Sequence, residues 1–95
     1  MSSASSWHNR TTKQFRKLLA NLPDDVQRQA KKAFKLYETN PGHPSLNFER
    51  LNTKGEYYSA RANQQYRVLA KRKSDHMLWF WIGPHDEYEK LLSHL

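Results

Sequence analysis

Residues 78–92 read LWFWIGPHDEYEKLL. An apolar run, residues 77–82, leads into Gly83-Pro84, and a histidine and several acids follow. In a strand such a run places apolar side chains on both faces, which suits an interior strand covered on both sides and not an exposed edge. The glycine-proline pair ends it, and HDEYEKLLSHL then reads as a short helix. Its acids fall in the first turn, where the helix dipole favours negative charge. His85 therefore stands where the strand gives way to the helix. The rest of the chain must supply this strand with partners and a cover.

The partners lie just upstream. EYYSARA and QYRVLAKR are rich in aromatic and β-branched residues and are separated by Asn63-Gln64, as in a hairpin. SLNFERL alternates, with Leu46 and Phe48 on one side and Asn47 and Glu49 on the other. The cover comes from the first half, where the period changes. Thr11 and Thr12 can cap a helix running to Ala20, with Phe15, Leu18, Leu19 and Leu22 at helical spacing. NLPDD interrupts it; Pro23 suits a helix start, and Asp24 and Asp25 suit a first turn. From Asp24 to Thr39, Val26, Ala30, Ala33, Phe34 and Tyr37 form one stripe, and Arg28, Lys31, Lys32 and Lys35 take the other face. NPGHP stops this helix, because neither proline can continue it.

The expected fold is α+β. An N-terminal helical hairpin packs on a twisted antiparallel β-sheet of three to four strands, and a short C-terminal helix follows. A sheet carrying Trp79, Phe80 and Trp81 cannot stay bare, so the helices must cover it. Residues 10–95 form the single domain, and residues 1–9, including the serine-rich MSSASSW, form a flexible arm.

The composition narrows the function. Ninety-five residues suffice for one domain. The absence of cysteine excludes disulfides and thiolate metal sites. No apolar run approaches the roughly 20 residues of a membrane span, and the N-terminus lacks signal-peptide organisation. A cytoplasmic protein with no membrane partner is the expectation. The formal net charge is +7, and it is unevenly placed. Fifteen of the 16 basic residues lie within residues 8–37 and 49–73, whereas the tail from Ser74 has Lys90 against four acids. Such a field attracts polyanions: RNA, DNA or an acidic protein.

The five histidines, His8, His43, His76, His85 and His94, show no metal-ligand spacing. No glycine loop cradles phosphate, and no nucleophile elbow is present. Neither metal nor cofactor is expected. The better constellation is spread over three elements. Tyr57, Ser59 and Arg61 alternate and so share one strand face. Arg67 lies just across the hairpin, with Lys71 farther along the same face. His85 and Tyr88 are three apart, hence neighbours on a helix. Guanidinium groups on a rigid sheet suit phosphate, and a histidine beside them can move protons. Arg61, Arg67, His85 and Tyr88 are the candidate catalytic residues, with Lys54, Lys71, Arg72 and Lys73 as candidate nucleic-acid contacts. Each also has a plain reading: strand packing for the tyrosines, solvated edge charges for the arginines, and a helix start for His85.

FRKLLANLPDDVQRQAKKAFKLYETNPGHPSL, YSARANQQYRVLA and LWFWIGPHDEYEKLL together resemble the RelE/ParE superfamily of bacterial type II toxins, over nearly the whole chain. The resemblance implies a small α+β toxin held inactive by a cognate acidic antitoxin. In the RelE branch the implied activity is metal-independent mRNA cleavage on the ribosome, which inhibits translation. In the ParE branch it is inhibition of DNA gyrase, and a catalytically inactive RNA- or partner-binding domain is the third possibility. Arg67 matches the family arginine at the scissile phosphate, and Arg61 falls near lysines that act on the attacking hydroxyl. His85 falls where the family has arginine or histidine, and Tyr88 lies near a tyrosine that stacks on the base. Ser59 and Arg61 depart from the lysine pair, and arginine is a poor general base because it stays protonated. The family's first strand is not legible in SSASSWHN.

Overall fold

A computed structural model describes residues 8–95. In chain order it contains β1 (His8–Thr11), α1 (Lys13–Ala20), α2 (Asp24–Thr39) and a 3-10 turn (Pro44–Leu46). These are followed by β2 (Glu49–Arg50), β3 (Tyr57–Arg61), β4 (Tyr66–Arg72), β5 (His76–Pro84) and α3 (His85–Leu92). The five strands form one sheet in the order β1-β5-β4-β3-β2.

The expected antiparallel sheet of three to four strands is thus corrected to five strands of mixed direction, within the α+β class. β1 pairs in parallel with β5, His8 opposite His76 and Thr11 opposite Trp79. His8 and Asn9, expected in the arm, belong to this strand; residues 1–7 lie outside the described residues. SLNFERL is not one alternating strand. Leu46 closes the 3-10 turn, Asn47 takes a left-handed conformation at φ 43°, and pairing begins only at Glu49. β5 continues through Gly83 and Pro84, which face Arg67 and Tyr66.

The helices start and stop where their chemistry requires. Thr12 caps α1 by accepting from the Phe15 amide at 3.0 Å. α2 carries Asp24 and Asp25 in its first turn. Both helices lay their apolar stripes on one sheet face, where Phe15, Ala30 and Tyr37 pack with Ala60, Val68, Ala70, Met77, Trp79 and Ile82. Trp79 is 1% exposed and meets Phe34 and Tyr37 edge-on, at ring centroid distances of 5.7 and 5.3 Å. Burial, with a smaller effect of Tyr58, pushes the Tyr37 hydroxyl above its ordinary pKa.

A β-bulge explains the two-faced apolar run. Leu69 faces Trp81 but Ala70 faces Trp79, so Phe80 has no partner. The extra residue lets both Trp79 and Ile82 point into the helix-side core, and it turns Trp81 and Gly83 to the other face. On that face the Trp81 ring crosses Gly83 so closely that a Cβ there would lie 2.5 Å from it. α3 packs across this second face, against β4 and β5, where Leu69, Ser59 and Tyr88 are buried.

Candidate active site

The β3–β4 turn organises the site. Asn63 Oδ1 accepts from the Gln65 and Tyr66 amides at 2.7 and 2.8 Å, and Asn63 Nδ2 donates to Gln29 Oε1 of α2 at 2.6 Å. The turn's carbonyls in turn hold Arg67: its Nη1 donates to the oxygens of Asn63, Gln64 and Tyr66 at 3.1, 3.0 and 3.2 Å. The Gln65 carbonyl accepts from the His85 amide at 2.9 Å, which ties the start of α3 to the same turn. One four-residue loop therefore places Arg67 and His85 side by side.

Asn63→Ala is expected to release this arrangement. Losing the side-chain bonds should cost about 1–2 kcal/mol, read as a lower urea midpoint with faster hydrogen exchange at the Gln65 and Tyr66 amides. An unchanged midpoint and unchanged exchange would refute the organising role of Asn63.

Arg61, Arg67, His85 and Tyr88 line one cleft of about 330 Å³. Arg61 and Arg67 are directly opposed on β3 and β4. Like charges in that relation repel, so the pair is an electrostatic cost unless an anion sits between them. Burial, then repulsion from Arg61, holds the Arg67 guanidinium below its ordinary pKa, with Tyr88 and Glu89 acting in the opposite sense. It nevertheless stays cationic at neutral pH. Arg61 Nε is buried without a hydrogen-bond partner, a donor whose isolation is costly. The His85 ring is exposed at the first turn of α3, 5.9 Å from the Tyr88 ring. Tyr88 itself is only 7% exposed. Its ring forms a wall of the cleft and leaves little face on which a base could stack.

The candidate nucleic-acid contacts are placed elsewhere. Lys71 shares the strand face of Arg67 but lies four residues along β4, about 13 Å away, with Nζ 5.5 Å from the centre of the Tyr57 ring. Arg72 pairs with Glu56 at 3.6 Å. Lys54 and Lys73 are exposed in the connections before β3 and after β4. None of the four lines the cleft.

Two carboxylates that the sequence reading passed over do line it, Glu49 of β2 and Glu89 of α3. Glu89 was legible in principle, since it lies one helical turn after His85. Glu49 was not, because its position depends on the left-handed turn at Asn47. Among the described residues no three His, Asp or Glu side chains cluster as a metal site would need, and no helix is long and apolar enough to cross a membrane.

A family model described as a ParE-like toxin domain matches residues 24–90. Similar solved structures include the RelE–RelB complex of Pyrococcus horikoshii, at 22% identity and TM-score 0.65, covering 84% of this chain and 96% of that one. Another is the RelB–RelE antitoxin–toxin complex of Methanococcus jannaschii, at 14% identity and TM-score 0.68, covering 86% and 96%. YafQ of E. coli is similar at 15% identity and TM-score 0.68, covering 86% and 97%. At these identities the likeness is one of fold. No curated protein sequence matches the chain.

Proposed function

Because the chain belongs to the ParE-like toxin domain family, we propose that it is the toxin of a toxin–antitoxin pair and cleaves mRNA as a metal-independent endoribonuclease, on the ribosome, in the cytoplasm. The observation that carries this reading is the cleft in which Arg61, Arg67, His85 and Glu49 meet. The two guanidinium groups supply the positive charge that the transition state of phosphoryl transfer calls for. In this role the terminal nitrogens of Arg61 and those Arg67 nitrogens not bonded to the turn bind the scissile phosphate.

Transesterification needs a base and an acid on opposite sides of the phosphorus. Arginine cannot be the base, and Glu89 shares α3 with His85, so Glu49 on β2 takes the proton of the 2′-hydroxyl. The 2′-oxygen bonds to phosphorus as the bond to the 5′-oxygen breaks, and His85 delivers a proton to that oxygen. The products are a 2′,3′-cyclic phosphate and a 5′-hydroxyl. Seven exposed Lys and Arg on α1 and α2 add a basic outer surface suited to ribosomal RNA. An acidic antitoxin fits the formal charge of +7, and the RelE structures similar to this chain are complexes with RelB.

The ParE-like description of the family model favours a second reading, a non-nuclease inhibitor of DNA gyrase. Brief expression of the chain alone separates the two. The nuclease reading expects new mRNA ends bearing 5′-hydroxyls at discrete positions, with plasmid supercoiling unchanged. Intact mRNA with relaxed plasmid would overturn it in favour of gyrase.

A further inference from the structure

A second cleft, of about 600 Å³, opens between α2 and the β3–β4 turn. It adjoins the first: Arg61 lines both, and Gln64 and Gln65 line it and also flank Arg67 and His85 on the other side of the turn. We propose that this cleft is a nucleotide subsite that takes one unpaired RNA nucleotide next to the pair joined by the scissile phosphate. The proposal rests on the endoribonuclease reading and gives it a specificity-determining element.

The lining has the chemistry of a base site. Ala33, Leu36 and Ala62 supply an apolar floor against which the flat face of a base can lie. Gln29, Gln64 and Gln65 bring primary amides to its edge. The Gln64 and Gln65 amides each offer a donor beside an acceptor, the pattern needed to read a base edge. Such recognition requires an unstacked base, as in single-stranded RNA. Lys32 is exposed at the rim, where a backbone phosphate would lie.

The cleft is also preformed, because the bond from Asn63 Nδ2 to Gln29 Oε1 pins the turn to the helix. That bond uses only the oxygen of Gln29 and leaves its nitrogen for a ligand. An acidic peptide is the less suitable occupant: amides outnumber cations here, and no aromatic side chain offers an anchor.

The test is binding of labelled RNA to the full chain by fluorescence anisotropy, with a 2′-deoxy sugar at the cut position to prevent turnover. Two probes are compared, a dinucleotide and a longer oligoribonucleotide extended on both sides. The chain is expected to bind the longer probe about tenfold more tightly. The double variant Lys32→Gln, Gln64→Ala, altered at two exposed side chains, should lose most of this preference and should keep its affinity for the dinucleotide. It keeps only the sequence-independent gain that the remaining basic residues of α1 and α2 give a longer RNA. A length effect that survives undiminished in the double variant overturns the subsite. So does a wild-type chain that cuts mRNA but shows no length effect; the nuclease reading then stands without it. If mRNA stays uncut while the variant still loses the length effect, the nuclease reading falls. The subsite's place beside a scissile phosphate falls with it, leaving the cleft as a site of RNA binding alone. Binding of an oligoglutamate peptide in place of RNA, abolished by the double variant, would overturn the subsite in favour of a protein partner.

Discussion

Arg67→Ala is expected to lower RNA cleavage about 100- to 1,000-fold, the range found when one preorganised donor to a developing negative charge is removed. The stability change should be small. The variant loses the Nη1 bonds to the turn carbonyls, but it also removes the repulsion between opposed Arg61 and Arg67. Arg67→Lys separates charge from shape: an ammonium keeps the charge but cannot span two phosphate oxygens while also bridging the turn, so it should recover only part of the loss. Arg61→Ala combined with Arg67→Ala should cost less than the product of the single effects, because both groups act on one phosphate. Single-turnover cleavage with purified variants, alongside urea midpoints, reads all of this. Cleavage by Arg67→Ala within a few-fold of wild type, at an unchanged midpoint, would remove Arg67 from the site.

The placement of Arg67 shows how far a sequence carries such an argument. Alternation in YYSAR and YRVLA put Arg61 and Arg67 on one face of a hairpin, and the register pairs them directly. The helices were legible for the same local reason: one apolar period each, bounded by NLPDD and NPGHP. The strand HNRT was not, because it has no apolar alternation. It is held by parallel backbone pairing to a strand almost seventy residues later, and no local pattern encodes that. Glu49 escaped for a related reason, since a single left-handed residue, Asn47, sets where β2 begins.

Charge was legible in amount but not in position. Lys54, Lys71, Arg72 and Lys73 stand in the same basic segment as Arg61 and Arg67, yet the strands carry them to the far end of the sheet from the cleft. Tyr88 shows the converse limit. The three-residue spacing from His85 does make the two rings neighbours, but only the packing of α3 against β4 and β5 reveals that the tyrosine is buried. The apolar run 77–82 implied cover on both faces, and the bulge at Phe80 is how the chain achieves it with consecutive aromatics.

That run also sets the largest stability effect. Trp79→Ala should destabilise the fold by about 3–5 kcal/mol, a large part of the roughly 5–15 kcal/mol that holds a small domain together. The indole is 1% exposed, meets Phe34 and Tyr37 edge-on, and donates from Nε1 to Asn9 Oδ1 of β1 at 3.1 Å. Its removal therefore takes aromatic packing from α2 and a tether from the parallel strand together. Collapse around the gap is hindered, because Trp79 already borders an apolar groove of about 250 Å³ between the helices and the sheet, and the cost of a cavity grows with the volume left open. Trp79→Phe isolates the tether: it retains most of the packing and leaves Asn9 without its donor, at about 1–2 kcal/mol. Urea denaturation of the three chains checks the order, with the alanine variant lowest and a common m-value marking a shared two-state transition. An alanine variant no less stable than the phenylalanine one would show that the helical hairpin is not seated on Trp79.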